Sequence, residues 1–284
     1  MSRTPLFDRL IDDAAVFPPG LAPLDVAVRE HLDRRSQPYA GHLGALLVPA
    51  TDAAEAARLA AGDARTAAEP LHLGLVVRPG SPVQPAVDAV AALRDDDHVV
   101  VTAVEVGWSP DWRSVIALEV PVVVEVGVGQ AQRDGLDDIA DAVDDEADVT
   151  AKFRTGATPT WPWPDEHALG GFLDAVILHG LSFKLTGGLH HVARGEHGGR
   201  QQHGLLNVVV ATHEALDGAE GPELARVLAQ TSAELLTDRV ARMTAVDAAR
   251  VRASFTAYGC CGVLDPLVEL AALGLIDEHP HLDH

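Results

Sequence analysis

From Gly41 onward, short apolar runs rich in β-branched residues alternate with amphipathic segments of helical period. The runs occupy residues 43–48, 71–77, 99–106, 120–126, 149–153, 181–185, 205–210 and 254–258, eight in all. A strand that is apolar without alternation must be covered on both faces, as in a parallel sheet. The segments between them have the stripes and end signals of helices. Val83, Ala86, Val87, Val90 and Leu93 form one stripe. Leu169, Phe172, Leu173, Val176 and Ile177 form another, with Gly180 as its stop. Asp52 and Glu55 have capping-box spacing, and Asp265-Pro266 reads as a helix start closed by Gly274. Eight strand–helix units predict an α/β fold, a (β/α)8 TIM-like barrel. A doubly wound open sheet is the alternative.

The predicted barrel spans residues 41–276. Residues 1–40 are expected to form an N-terminal helical segment packed on it, and 277–284 a polar tail holding His279, His281 and His284. Within the first segment, Asp12-Asp13 precedes Phe17-Pro18-Pro19-Gly20. Turn chemistry favours a loop with solvated aspartates, while the other reading sends the two carboxylates into a site. The connection across residues 109–119 is short, and that across 213–253 has room for two or three helices.

Lys152 and Lys184 are the only lysines; every other permanent cation of the chain is arginine. Arginine stays protonated, whereas a lysine amine can lose its proton and act as a nucleophile or base. Both lysines fall at strand exits, where a barrel of this kind places its chemistry. Strand alternation puts Lys152 and Arg154 on one face, and Lys184 and Thr186 on one face. The exits before them carry Glu105 and Glu125, each inside the phrase Val-Glu-Val-Gly. Helices cover the outside with apolar groups, so these charges must point into the mouth. Two carboxylates facing three cations predict a locally positive pocket. A lysine among cations in a desolvated pocket is expected to have a lowered pKa and to attack a carbonyl. Glu125 and His190 are candidate proton carriers. Glu105, Arg154, Thr186, Gly187, Gly188, His191, His203 and Asn207 are candidate substrate contacts, with Gly156 and the Gly187-Gly188 pair offering backbone N–H groups to an anion. A salt-bridge lattice that merely closes the barrel is the structural alternative.

Lys152-x-x-Thr-Gly156 and Lys184-x-x-Gly187-Gly188 resemble the paired lysine strands of class I deoxyribose-phosphate aldolase, a (β/α)8 enzyme. The resemblance implies that Lys152 forms a Schiff base and that Lys184 lowers its pKa. It covers about 40 residues of this chain. The strand count given above places the lysines on strands five and six, one unit early for that family. Arg154 stands where the aldolase has a small hydroxyl residue. The aldolase's catalytic aspartate has no direct counterpart, and Glu125 is the candidate for its role. A wider set of phrases resembles a family of uncharacterised bacterial proteins. These are Asp13-x-Ala-x-Phe17-Pro18-Pro19, Lys152-Phe-Arg154-Thr-Gly156, Phe183-Lys184-x-Thr186-x-Gly188-Leu-His190-His191, His203-Gly-Leu-Leu-Asn207 and a cysteine-containing last strand. That likeness spans most of the chain; it implies a shared site and supplies no reaction.

The leading expectation is an aldolase-like lyase or related Schiff-base enzyme acting on a small oxygenated carbonyl or sugar-derived substrate, without a cofactor. The first alternative is a metal-dependent isomerase or hydrolase, with a divalent metal held by His190, His191 and His203 together with Glu125 or Glu105. The second is a small-molecule-binding barrel without catalysis. The segment 196–200 reads as a flexible lid carrying Arg200, and Cys260-Cys261 as two small residues in a turn. A formal charge of −21 argues against nucleic acid and anionic membranes as partners. It leaves room for an anionic small molecule and for a homo-oligomer. Two adjacent cysteines make no disulfide framework, no run reaches membrane-span length, and a cytoplasmic location is expected.

Overall fold

The computed structural model describes residues 5–158, 161 and 163–277. The tail histidines His279, His281 and His284 lie outside the described residues. Eight parallel strands close into a barrel: β1 (Ile11–Asp13), β2 (Leu43–Pro49), β3 (Leu71–Val76), β4 (Val99–Gly107), β5 (Val122–Glu125), β6 (Val149–Arg154), β7 (Phe183–Thr186) and, after a two-stranded hairpin, β10 (Phe255–Cys260). The order around the barrel is β1-β10-β7-β6-β5-β4-β3-β2. The hairpin pairs β8 (Gly195–His197) with β9 (Arg200–Gln202), antiparallel. Helices α1 (Leu24–Arg34), α2 (Ala53–Ala61), α3 (Gln84–Leu93), α4 (Gln130–Asp144) and α5 (Glu166–Leu178) alternate with the strands. A 3-10 helix at Trp112–Leu118 serves the short connection between β4 and β5. Four helices fill the long connection after β7: α6 (Leu205–Leu216), α7 (Gly221–Leu228), α8 (Ala233–Ala241) and α9 (Ala245–Ser254); α10 (Leu264–Ala272) follows β10.

The (β/α)8 expectation holds, but one expected strand is lost and an unexpected one takes its place. The run 205–210 is not a strand. It begins α6, in which every residue from Leu205 to Thr212 is buried. A helix buried on all sides shows no polar face, so its sequence is as uniformly apolar as a covered strand. The missing stave is β1, inside the segment expected to lie outside the barrel. It pairs in parallel with β10 on one side and β2 on the other, so residues 11–13 complete the ring. Its aspartates are not solvated. Asp13 faces α1, accepting from Arg34 at 2.9 Å with His31 at 3.2 Å, and Asp12 faces the interior.

Smaller expectations divide. Gly180 lies just past α5 with φ +67°, and Gly274 just past α10 with φ +68°, as the stop signals require. Asp52 makes no side-chain cap to α2, so the capping-box spacing there is unused. The segment 196–200 is not a loose lid. Gly198 and Gly199, both at positive φ, turn the β8–β9 hairpin, and the Arg200 guanidinium lies over the Trp163 ring at 5.9 Å.

Candidate active site

Alternation within the strands decides which side chains enter the barrel. On β6, Phe153 points outward and stacks on Phe172 of α5, with centroids 4.7 Å apart. Phe183 on β7 meets the same ring edge-on and stacks on Phe255 of β10. With these rings fixed in the outer core, Lys152, Arg154 and Lys184 must point inward. Register then aligns them: Glu125 lies beside Lys152, and Lys152 beside Lys184, on three neighbouring strands.

The result is a row of alternating charges across the interior. Lys184 Nζ donates to Asp12 and to Glu105, the latter at 2.5 Å. Lys152 Nζ donates to the other oxygen of Glu105 at 2.8 Å and lies 2.9 Å from Glu125 Oε2. Arg154 grips Glu125 through Nε at 2.8 Å and a terminal nitrogen at 3.2 Å. Asp12 also accepts the Ala45 backbone N–H at 2.7 Å. This contact fixes a glycine next to it, since a Cβ on Gly44 would stand 1.9 Å from Asp12 Oδ1. All members are buried except Arg154, whose side chain is 24% exposed at the mouth.

Three carboxylates therefore meet three cations, and the expected positive pocket is corrected to a balanced one. The sequence reading prefers solvated aspartates to the alternative that sends Asp12 into the site, because a three-residue strand of Ile-Asp-Asp carries no strand pattern. The expected lowering of the lysine pKa is corrected with it. Burial alone would push Lys152 and Lys184 down, but Glu105 and Glu125 around the first, and Asp12 and Glu105 around the second, hold both above their ordinary value. Burial likewise favours neutral Glu105, yet the two ammonium groups win and bring it to about 2. Glu125 is lowered in the same way by Lys152 and Arg154.

A cavity of about 160 Å³ borders this row on the amino-terminal side and touches Asp12, Glu105 and Lys184. Gly44, Ala45, Gly74 and Ala103 line it, and their small side chains leave the space. Lys184 is the lysine that borders it. Above the row, strand exits β6 and β7 close tightly: a Cβ on Gly156 would stand 1.8 Å from the Gly187 carbonyl oxygen. Gly187 itself has φ +76° and lies beside Arg154. Gly188 faces the Thr155 hydroxyl, which donates to the Thr186 carbonyl.

The remaining candidates do not join the row. Asn207 is on α6, where its amide ties together the Arg194 N–H and the carbonyls of Val227, Leu228 and Gln230. These bonds tie α6 to the end of α7, whereas the sequence offered Asn207 as a substrate contact. His203 is buried against the Pro164 carbonyl, and burial lowers it to about 4, so it is a neutral structural group. His191 binds Glu269 at 2.7 Å and stacks on His197. His190 binds Asp265 at 2.9 Å and faces the two cysteines. The proposed ligand set for a metal is thus dispersed. Each histidine has its own partner, both glutamates hold lysines, and among the described residues no group of three or more His, Cys, Asp or Glu side chains is gathered for a cation.

Compared with known proteins, the chain matches no family model, no curated protein and no solved structure. Among the described residues, no helix is long and apolar enough to cross a membrane. The fold and the charge row therefore carry the functional argument.

Proposed function

We propose that the charge row is the centre of an aldolase-like lyase, or a related Schiff-base enzyme, acting on a small oxygenated carbonyl or sugar-derived compound. The observation that carries this reading is a pair of buried lysines on adjacent strands sharing one carboxylate, Glu105. A (β/α)8 barrel is compatible with such chemistry. With β1 counted as the first stave, the lysines fall on the sixth and seventh strands, which removes the one-unit offset noted for the aldolase resemblance.

One amine adds to the substrate carbonyl and loses water to give an iminium, which then accepts the electron pair of a neighbouring C–C bond. Glu105 touches both lysines and is the proton carrier, a part that the sequence assigned to Glu125 and His190. Arg154, the most exposed cation of the row, meets an anionic group of the substrate. In the resting state both amines are ammonium ions, so the initial attack accelerates with pH. Its rate should rise by about tenfold per pH unit through the neutral range.

The test is intact mass after borohydride treatment with small aldehydes, ketones and 2-oxo acids, using wild type beside Lys152→Arg and Lys184→Arg. Circular dichroism of each variant confirms that the barrel is retained. An adduct that forms faster at higher pH and disappears in one variant identifies the Schiff-base lysine. The aldolase resemblance assigns Lys152, and the cavity borders Lys184. No adduct with any carbonyl would sink the proposal. One observation favours a second reading, a binding barrel without catalysis: every charge in the row already has its partner. That reading requires ligand binding to survive the Lys→Arg changes.

A further inference from the structure

At the carboxyl end of β10, outside the charge row, Cys261, His190 and Asp265 stand in line. Cys261 Sγ is 3.3 Å from His190 Nε2, and His190 Nδ1 is 2.9 Å from Asp265 Oδ2. A nucleophile, a base and a carboxylate that orients the base make up the general arrangement of an activated thiol. Cys261 and Asp265 lie four residues apart between the end of β10 and the start of α10, and His190 reaches them from the exit of β7, 71 residues from Cys261 in the chain. Cys261 is partly exposed, while the adjacent Cys260 is buried and its thiol is directed to the Gly262 carbonyl.

We propose that Cys261, His190 and Asp265 form a second reactive centre, a thiol set against an imidazole that a carboxylate orients, which adds reversibly to small aldehydes. This centre does not depend on the lysine reading. The titratable groups facing His190 are Asp265, Cys260 and Cys261. Asp265 holds the imidazolium form first, with the cysteines adding to it, and the ring is pushed up to about 12. Burial keeps Cys260 as a thiol, so it is a neighbour and not the nucleophile. A thiol hydrogen-bonded to an imidazolium is the arrangement that yields a nucleophilic thiolate.

Aldehydes fit the proton supply. Nδ1 is held by Asp265, so His190 has one proton to give, through Nε2. In the addition, Cys261 Sγ forms a bond to the carbonyl carbon and the π electron pair moves to oxygen. That oxygen takes the Nε2 proton, leaving a neutral thiohemiacetal and a neutral imidazole. The reverse step regenerates aldehyde, thiolate and imidazolium, with no oxidant, reductant or leaving group.

The experiment is alkylation of the whole protein by iodoacetamide at pH 6, followed by peptide mapping. Cys261 should react at least about tenfold faster than a free thiol, because a free thiol is almost wholly protonated there. Cys260→Ala should keep that rate. Asp265→Asn, a change at a half-exposed position, should slow it and move its pH profile toward that of a free thiol. Glycolaldehyde should protect Cys261, and dialysis should restore the reactivity. A rate and pH profile equal to a free thiol's would overturn the proposal. So would an absence of protection. Protection that survives dialysis alongside a borohydride-fixed mass adduct would assign the effect to the lysine centre and overturn it equally.

Discussion

Glu105 accepts from both lysines, so it is the residue on which the row depends. Replacing it by glutamine leaves two ammonium groups in the interior with one carboxylate fewer. The expected loss of stability is about 3–5 kcal/mol at pH 7, the usual cost of breaking a buried pair from one side. The pH dependence follows from the lowered carboxyl. A group whose folded pKa lies below its unfolded value stabilises above the unfolded value and loses that effect as pH falls. The difference between wild type and Glu105→Gln should therefore be constant above 4.5 and shrink as pH drops toward about 2. Urea titrations of both proteins across that range measure it, and a difference that stayed flat would contradict the assignment. At this scale the sequence is informative wherever a residue type is rare. Two lysines in an arginine chain mark the site, and alternation turns five of the six charged side chains inward. Asp12 is read as solvated in preference to its site alternative because its strand is three residues long and runs into a Pro-Pro-Gly turn.

Elements show a different limit. The strand exits at β4, β5, β6 and β7 are legible because each joins a covered apolar run to a charge and a glycine. The run 205–210 has the same apolar uniformity, and only its burial on every side, visible in three dimensions, makes it a helix. Asn207 then becomes the link between α6, the segment before it and the end of α7. Asn207→Ala would remove the amide partner of the Arg194 N–H and of the Leu228 and Gln230 carbonyls, while the Val227 carbonyl keeps the Gln230 N–H at 3.1 Å. Groups of this kind cost about 1–3 kcal/mol each when buried and unpaired. A drop of at least about 2 kcal/mol in urea-derived stability is expected. An unchanged stability would return Asn207 to the list of candidate substrate contacts. The histidines disperse for a related reason. His190 and His191 take separate carboxylates of α10, Asp265 and Glu269, while His203 lies against the Pro164 carbonyl ahead of α5, and spacing alone does not reveal these partners.

Across the whole molecule, closure depends on contacts that no local pattern encodes. Lys184 and Asp12 are 172 residues apart in the chain, and their meeting requires β1 to seat between β10 and β2. Contacts of that separation carry a loop-closure cost that must be met before they contribute. The interior row also separates two scales of charge. It sums to zero inside a protein whose formal charge is −21, so the excess of carboxylates belongs to the rest of the chain. The acidic surface says nothing about the site, and the site says nothing about the surface. This is why bulk composition, which argues against nucleic acid, does not describe the pocket.

The scarcity of lysine has a practical consequence. Lys152 and Lys184 are 3% and 4% exposed and are the only side-chain amines in the chain. Acylating reagents that tag amines should therefore leave the folded protein untouched except at its terminus. When the barrel opens, both sites become available at once, and mass spectrometry should show a step of two tags with little of the singly tagged species. The tag count then acts as a clock for opening events, built into the native sequence. Single tagging at one lysine, at a rate indifferent to denaturant, would instead place a local gate beside that residue.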